Sequence, residues 1–176
     1  MTTRRTFLFA GIAGAAALAA AAWWRAGRDS PNAEAIAGGV SPSLGPDGSA
    51  VMAAVIPVFL EGALPAGQEA AAAAVQKVLG SVGVAVAGLP PAAQKELSQL
   101  FALLGVAPGR MALARVNSPW PEARPDEVAA FLERWRTSGF LLLHSAYAAL
   151  HQLVFAAWYG DPASWPAIGY PGPPTP

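Results

Sequence analysis

The length, composition and charge of this chain limit what it can be. Its 176 residues suffice for one domain with a core, and its 12% of charged residues is about half of the roughly 25% that is typical, so we expect part of the surface to face a partner or a membrane. Eleven basic and eleven acidic residues leave no basic excess, which argues against nucleic-acid binding. The chain has no cysteine and two histidines, which excludes disulfides and thiolate sites and argues against a metal site.

The N-terminal residues match the twin-arginine export signal, whose usual form is Ser/Thr-Arg-Arg-x-Phe-Leu. Arg4 and Arg5 stand at the paired positions, and Phe7 and Leu8 follow them. An alanine- and glycine-rich segment of low hydrophobicity comes next and contains A-x-A cleavage sites. We therefore assign 1–26 to a signal segment that the twin-arginine translocase recognises, and we expect a periplasmic protein.

The same leader would hold the protein at the membrane if it were not removed. As a helix, residues 7–24 would span about 27 Å at roughly 1.5 Å per residue, slightly less than a bilayer core of about 30 Å. Trp23, Trp24 and Arg25 are nevertheless residue types that suit the membrane interface. The sequence favours a cleaved leader and leaves membrane association open.

The twin-arginine route carries proteins that are already folded, typically around a cofactor. This chain has no Gly-x-Gly-x-x-Gly motif, no cysteine cluster and no histidine-rich site, so we expect no cofactor of its own. The folded cargo that justifies the signal is then expected to be another polypeptide that travels with this one.

A linker and a helical domain follow the leader. Residues 27–49 are rich in glycine, serine and proline and predict a flexible tether, and 50–160 are assigned to the domain. Apolar residues on one helical face predict the first helix: Met52, Val55, Ile56, Phe59 and Ala63. Pro57 predicts a kink or two short helices, and Pro65 closes the segment.

Further helices are predicted at about 67–87, 91–105 and 108–116, and from Pro125 onwards. Their apolar stripes include Val75, Val78, Leu79, Val82 and Val86, then Leu97, Leu100, Phe101 and Leu104, and finally Val128, Phe131, Leu132 and Trp135. Prolines within 117–125 predict a surface loop. Since no alternating strand pattern occurs, the predicted fold is all-α, with about five to six helices in a small orthogonal or bundle-like domain.

Residues 140–159 form a predicted helix without a formal charge. A helix that is apolar almost all round must be covered by its own domain, by a partner or by lipid. Its length would suit a membrane span. Its polar residues, which oppose that interpretation, are His144, Ser145, His151 and Gln152. We therefore favour cover by protein.

The C-terminal residues, 161–176, combine prolines and glycines with large apolar side chains. Asp161 can cap a single turn begun by Pro162, and the remaining sequence predicts an extended tail. Aromatic side chains dominate binding energies at protein interfaces, so we expect this end to contact a partner. The predicted interface residues are Trp158, Tyr159, Trp165, Ile168 and Tyr170.

The same end of the chain resembles a known family. The sequence AWYGDP at 157–162, with Trp165 and IGYPG at 168–172, is similar to the end of small (gamma or third) subunits of periplasmic FAD-dependent dehydrogenases, of the gluconate, sorbitol and glucose dehydrogenase type. These subunits carry twin-arginine leaders. The resemblance extends over most of the chain, and its further matches are Ile56-Pro57, residues 62–65, residues 88–90 and residues 131–135.

This resemblance implies a non-catalytic helical subunit. It would bind and stabilise a large FAD-dependent oxidoreductase subunit of the glucose-methanol-choline class and escort it through twin-arginine export. FAD would lie in that partner and not in this chain, and a cytochrome c subunit would be a further candidate partner. No catalytic residue is carried over from the family.

The alternative to a subunit is a free-standing periplasmic helical ligand-binding module or hydrolase. The groups that a hydrolase would use are Ser145, His144, His151 and Asp161. Adjacent residues on a helix do not face each other, and no Gly-x-Ser-x-Gly elbow is present, so the sequence argues against catalysis. His144 and His151 share a helical face with Tyr147 between them, which fits polar groups at a subunit seam, or a pH switch or ligand contact.

Overall fold

Six helices make up most of the chain that the structure describes. The computed structural model describes residues 43–172, and within that range it contains no β-strand, which confirms the all-α prediction. The helices are α1 (Gly45–Phe59), α2 (Gln68–Ala87), α3 (Pro91–Gly105), α4 (Ala107–Ala114), α5 (Pro125–Arg136) and α6 (Leu141–Tyr159). Two short 3₁₀ segments are Trp120–Glu122 and Pro162–Ile168.

Helix α1 lies at the centre of the domain, where it packs against α2, α3, α5 and α6. Its fully buried side chains are Val51, Met52, Val55 and Ile56, each at 0% exposure. By contrast, only 28% of the most apolar window of α6 is buried. The core therefore forms around α1, although α6 is the helix that carries no charge.

The linker prediction, 27–49, is wrong at its C-terminal end. Helix α1 begins at Gly45, so the last residues of that range are helical, whereas residues 27–42 lie outside the described part of the chain. A Cβ at Gly48 would come within 2.8 Å of the Phe101 ring. Glycine at this position allows α1 to pack closely against α3. Residues whose composition suggested a linker therefore lie in a buried turn of α1.

Pro57 does not divide α1 into two helices. The helix continues through Pro57 and ends at Phe59, so Ala63 lies beyond its end and not on its apolar face. Proline has no N–H to donate to the carbonyl of the fourth residue before it, here Ala53. The loss of this bond is tolerated because the helix ends within its next turn.

The other long helices follow the predicted boundaries closely. Helix α2 begins at Gln68 after Gly67, whose φ of 97° is one that glycine adopts readily. Helix α3 spans the predicted 91–105, and α5 begins at Pro125. Buried positions among the predicted stripes are Val78, Leu79, Val82 and Val86, then Leu97, Phe101 and Leu104, and finally Val128, Phe131, Leu132 and Trp135.

The prediction of a surface loop at 117–125 is wrong at Trp120, which is buried at 3% exposure. Its indole N–H donates to the Leu104 carbonyl at 2.8 Å, and its ring centroid lies 5.8 Å from that of Phe131. The Leu104 carbonyl is at the end of α3, where intrahelical donors run out. Trp120 therefore fills the junction between α3 and α5 and satisfies a carbonyl there.

Helix α4 turns by 90° from α3 and finishes as a π turn over Arg110–Ala114. Two side chains of α5 reach its last carbonyls. The Trp135 indole N–H donates to the Leu113 carbonyl at 3.1 Å, and the Arg134 guanidinium donates to the Ala114 carbonyl. The short helix is thus held by side-chain hydrogen bonds where its own backbone bonds end.

Helices α5 and α6 pack against each other as a helical hairpin, and α6 also packs against α2. Residues 137–140 connect them. The Phe140 amide donates to the Ser138 hydroxyl at 3.1 Å, and His144 Nδ1 lies 2.9 Å from the Arg136 carbonyl oxygen. The first turn of α6 is therefore fastened to the end of α5, which fixes the direction in which α6 leaves.

Candidate partner-binding surface

The C-terminal residues fold into a compact turn at the end of α6. Asp161 caps the segment Pro162–Ile168: its Oδ1 accepts from the Ala163 amide at 3.2 Å, and its carbonyl accepts from the Ser164 hydroxyl at 2.8 Å. The predicted cap is confirmed. The predicted single turn begun by Pro162 is present, and it continues as a 3₁₀ helix to Ile168, so the predicted extended tail is wrong for 166–168. Proline suits the first position of a helix, and Pro166 removes only one bond from a short one.

Trp165 attaches this turn to α6. Its indole N–H donates to the Tyr159 carbonyl at 2.8 Å, a group at the helix end where no intrahelical donor remains. The chain reverses at Gly169, whose φ is 68°, and the Tyr170 amide donates to the Trp165 carbonyl at 3.1 Å. The Tyr170 ring stands edge-on to the Trp165 indole with centroids 5.2 Å apart. The described part of the tail therefore packs on its own helix.

An ion pair and a small pocket join the turn to α2. The Lys77 ammonium of α2 pairs with the Asp161 carboxylate. Beside this pair lies a pocket of about 210 Å³ with Trp158 in its wall and the hydroxyl-bearing residues Ser81 and Ser164 in its lining. Pockets for drug-sized ligands are about 300–1,000 Å³, so this one suits a single large side chain.

The structure divides the predicted interface residues between two roles. Tyr159, Ile168 and Tyr170 are exposed at 40%, 54% and 39%, and they present apolar surface to solvent. Trp158 and Trp165 are half-buried, and they form the pocket wall and the attachment of the turn. The three exposed residues are therefore the candidate contacts, and the two tryptophans are their support. We call these five residues the aromatic end.

A ladder of rings along α6 leads to this end, and sequence reasoning missed it. Tyr147, His151, Phe155 and Tyr159 follow each other at intervals of four. Their successive ring centroids are 5.8, 4.3 and 5.8 Å apart. Phe59, at the end of α1, lies edge-on to His151 at 5.3 Å. The interval of four was visible in the sequence, but the histidine was grouped with polar residues.

The two histidines of α6 are placed differently. His144 is exposed and contacts the Arg136 carbonyl, whereas His151 is half-buried and stacks on Phe155. Burial lowers the pKa of His151 from its ordinary value of 6.5. His151 thus takes part in the ladder as an aromatic ring, whereas His144 does not. The prediction that both histidines line a subunit seam stays a prediction.

A second exposed apolar group lies at the other end of α6, and sequence reasoning also missed it. Phe140, Leu141 and Leu142 are 74%, 58% and 57% exposed. The sequence of these three residues does not show whether the start of α6 is buried. Its burial depends on the direction in which α6 leaves the end of α5. Exposed patches of this kind mark contact sites on soluble proteins. We call these three residues the apolar start of α6.

The groups weighed for a hydrolase are not brought together. No hydrogen bond joins Ser145 to either histidine in the described part of the chain, His144 contacts a backbone carbonyl, and Asp161 is paired with Lys77. Residues 43–172 also contain no cluster of three or more His, Cys, Asp or Glu side chains that could hold a metal ion. These four residues therefore do not form a nucleophile–base pair of the kind that acyl transfer needs.

By length and composition, two of the described helices could cross a membrane, namely α2 and α6, and α3 with α4 would make a third if the bent pair were one span. In the domain α2 and α6 pack against each other. Their most apolar windows are 33% and 28% buried. Both helices therefore keep apolar surface that neither the core nor the other helix covers.

The predicted export-signal residues Arg4, Arg5, Phe7 and Leu8 lie outside the described residues. Within the described range, fold and site define a small all-α protein with an aromatic end, an apolar helix start and no assembled catalytic group. Comparisons with protein-family models, with curated proteins and with solved structures each find no match.

Proposed function

We propose that this chain is a non-catalytic small subunit that binds and stabilises a periplasmic FAD-dependent dehydrogenase and escorts it through twin-arginine export. The observation that carries the proposal is the aromatic end. Trp165 is fixed to α6 by a 2.8 Å hydrogen bond, while Tyr159, Ile168 and Tyr170 remain exposed beside it. A rigid support under exposed apolar side chains lowers the entropic cost of binding.

The size of the exposed surface also supports a protein partner. The apolar start of α6 and Tyr159 are separated by about 27 Å along the helix at 1.5 Å per residue. A stable interface covers about 800 Å² on each partner, and a surface of that extent can include both ends of one such helix. The low charged fraction of 12% agrees with a chain that is partly covered in its working state.

The escort role rests on the leader. Arg4 and Arg5 provide an export signal of a type used for folded proteins, and the sequence offers no cofactor motif that would require folding before export. A partner that folds around FAD in the cytoplasm would account for both facts. In this proposal the chain supplies the signal and the partner supplies the chemistry.

Co-purification tests the proposal most directly. The full chain is produced together with a candidate partner, an FAD-dependent oxidoreductase of the glucose-methanol-choline class without an export signal of its own, and the periplasm is fractionated. We expect both chains to elute together, with flavin absorbance in the shared peak. A chain that always elutes alone and monomeric would contradict the subunit role and favour the free-standing ligand-binding module.

The escort role has a separate test. In the double variant Arg4→Lys, Arg5→Lys we expect both this chain and its partner to stay in the cytoplasm, because paired arginines are the part of the signal that lysine does not replace. Single lysine variants serve as graded controls. Export of the partner in the double variant would end the escort role while leaving the subunit role intact.

A further inference from the structure

An open groove of about 740 Å³ runs along α1, on the side that faces the 3₁₀ segment at Trp120 and the start of α5. Its walls are mostly alanine and proline from both elements, and the largely buried residue Trp120 also contributes to the lining. On α1 the lining includes Ala50, Ala53 and Ala54, on consecutive turns of one helical face. Small side chains allow a bound backbone to come close to the helix.

One backbone carbonyl of the α1 wall lacks its usual intrahelical donor. Pro57 lines it together with Ala53, and because proline has no N–H, the Ala53 carbonyl lacks the donor that a residue four positions later normally supplies. A carbonyl in this position retains hydrogen-bonding capacity for a donor from outside the helix. Peptide N–H groups are donors of the right kind.

Charge complementarity indicates the kind of side chain that would accompany such a donor. The charged residues that line the groove are both acidic, Glu61 and Asp126. Asp126 forms an ion pair with Arg124, whereas Glu61 forms none with any residue in the described range. The groove therefore presents one carboxylate without an ion-pair partner among the described residues, just beyond the end of α1.

We propose that this groove binds an extended peptide segment with small apolar side chains and one Lys or Arg, which pairs with Glu61. The helical part of the groove, from Ala50 to Val58, is about 12 Å long at roughly 1.5 Å per residue, the length of about four residues of extended peptide at roughly 3.3 Å each. The inference stands on the groove alone and does not rest on the proposed subunit role.

The test uses the full chain as target and a random heptapeptide display library as probe. We expect recovered peptides to combine Lys or Arg with Ala, Val or Pro. The consensus peptide is then synthesised and its binding is measured by fluorescence anisotropy. Ala129→Trp replaces a small side chain at an exposed position of the groove wall. The indole would occupy the space that the peptide needs, so binding should weaken at least about tenfold. Ala72→Trp, at an exposed position of α2, is the matched control and should bind as the parent does.

The charge is tested separately. Glu61→Gln should weaken binding by about two- to fivefold, the range of an exposed ion pair, and should reduce the salt dependence of binding. Glu69→Gln on α2 is its control. Three results would overturn the proposal: recovered peptides without basic residues, binding that Ala129→Trp leaves unchanged, or no enrichment over the Ala129→Trp target. Circular dichroism of each variant confirms that the helices are retained.

Discussion

The indole N–H of Trp165 donates to the carbonyl oxygen of Tyr159 at 2.8 Å, so that the C-terminal turn is tied to the last residue of α6. The Tyr170 amide in turn donates to the Trp165 carbonyl. One side chain thus connects the helix, the 3₁₀ segment and the reversal that follows it. The orientation of the exposed residues Ile168 and Tyr170 depends on this connection.

Replacing Trp165 by phenylalanine keeps a ring and removes the donor. One hydrogen bond contributes about 0.5–1.5 kcal/mol net, so we expect the domain to stay folded while the turn opens more often. Hydrogen exchange of the Tyr170 amide should become roughly two- to tenfold faster, as that free energy implies. Tyr147→Phe, in the ring ladder and away from the C-terminal turn, also keeps a ring and removes a polar group. It is the control and should leave this exchange unchanged. If both variants accelerate it equally, the turn opens only together with the domain.

The second prediction concerns Ile168 as a contact in the proposed complex. If the chain binds a flavoprotein as proposed, Ile168→Ala should weaken that binding by about tenfold or more, because each buried methylene contributes about 0.8 kcal/mol. Val84 on α2 is also 54% exposed, so Val84→Ala is a control matched in exposure and chemistry. Surface plasmon resonance with the immobilised partner gives both affinities. Equal loss in the two variants, or none in either, would remove Ile168 from the interface.

Helix periodicity explains why much of this fold follows from sequence. The stripe of α5, for example, contains Val128, Phe131, Leu132 and Trp135, and all of them are buried. Such a pattern is local, and Pro125 marks its start by a preference that is also local. The predicted boundaries of α2, α3 and α6 were accurate for the same reason.

The errors fall where distant contacts decide the outcome. Gly48 belongs to α1 because the Phe101 ring occupies the space of a side chain, and Trp120 is buried because the Leu104 carbonyl accepts its N–H. Phe101 and Leu104 are distant in sequence from the residues that they contact. Local composition therefore predicted a linker at Gly48 and a surface loop at Trp120. At the aromatic end the residue types were predictable, but the fold of the turn depends on the contact of Trp165 with Tyr159.

The third prediction tests the buried position of Trp120. Trp120→Ala should lower the free energy of unfolding by about 3–5 kcal/mol, a large share of the roughly 5–15 kcal/mol of a typical domain. Leu142→Ala removes apolar atoms at 57% exposure and should change it by no more than about 0.5 kcal/mol. Urea denaturation followed by circular dichroism measures both. Similar midpoints for the two variants would place Trp120 on the surface after all.

The last prediction concerns pH and the ring ladder. His151 stacks on Phe155 at 4.3 Å and meets the edge of Phe59, and burial lowers its pKa from 6.5. The unfolded chain therefore takes up a proton at this residue more readily than the folded one, and the folded state loses stability as pH falls below 6.5 through the lowered pKa. Above pH 6.5 the His151 ring is neutral in both the folded and the unfolded chain. His151 then no longer makes the free energy of unfolding depend on pH.

The variant His151→Phe keeps a ring in the ladder and removes the titration. The difference in unfolding free energy between variant and parent should therefore grow in favour of the variant from about pH 8 to about pH 5, the window in which histidine titrates. Gln152→Ala, at an exposed position of the same helix, changes no titratable group and should give a difference with the parent that does not grow in this way. All three chains contain the same carboxylates. Subtracting the unfolding free energy of the parent from that of each variant therefore cancels the contribution of the carboxylates to the pH dependence. A constant difference for His151→Phe across the window would mean that His151 accepts its proton as easily in the folded ladder as in the unfolded chain.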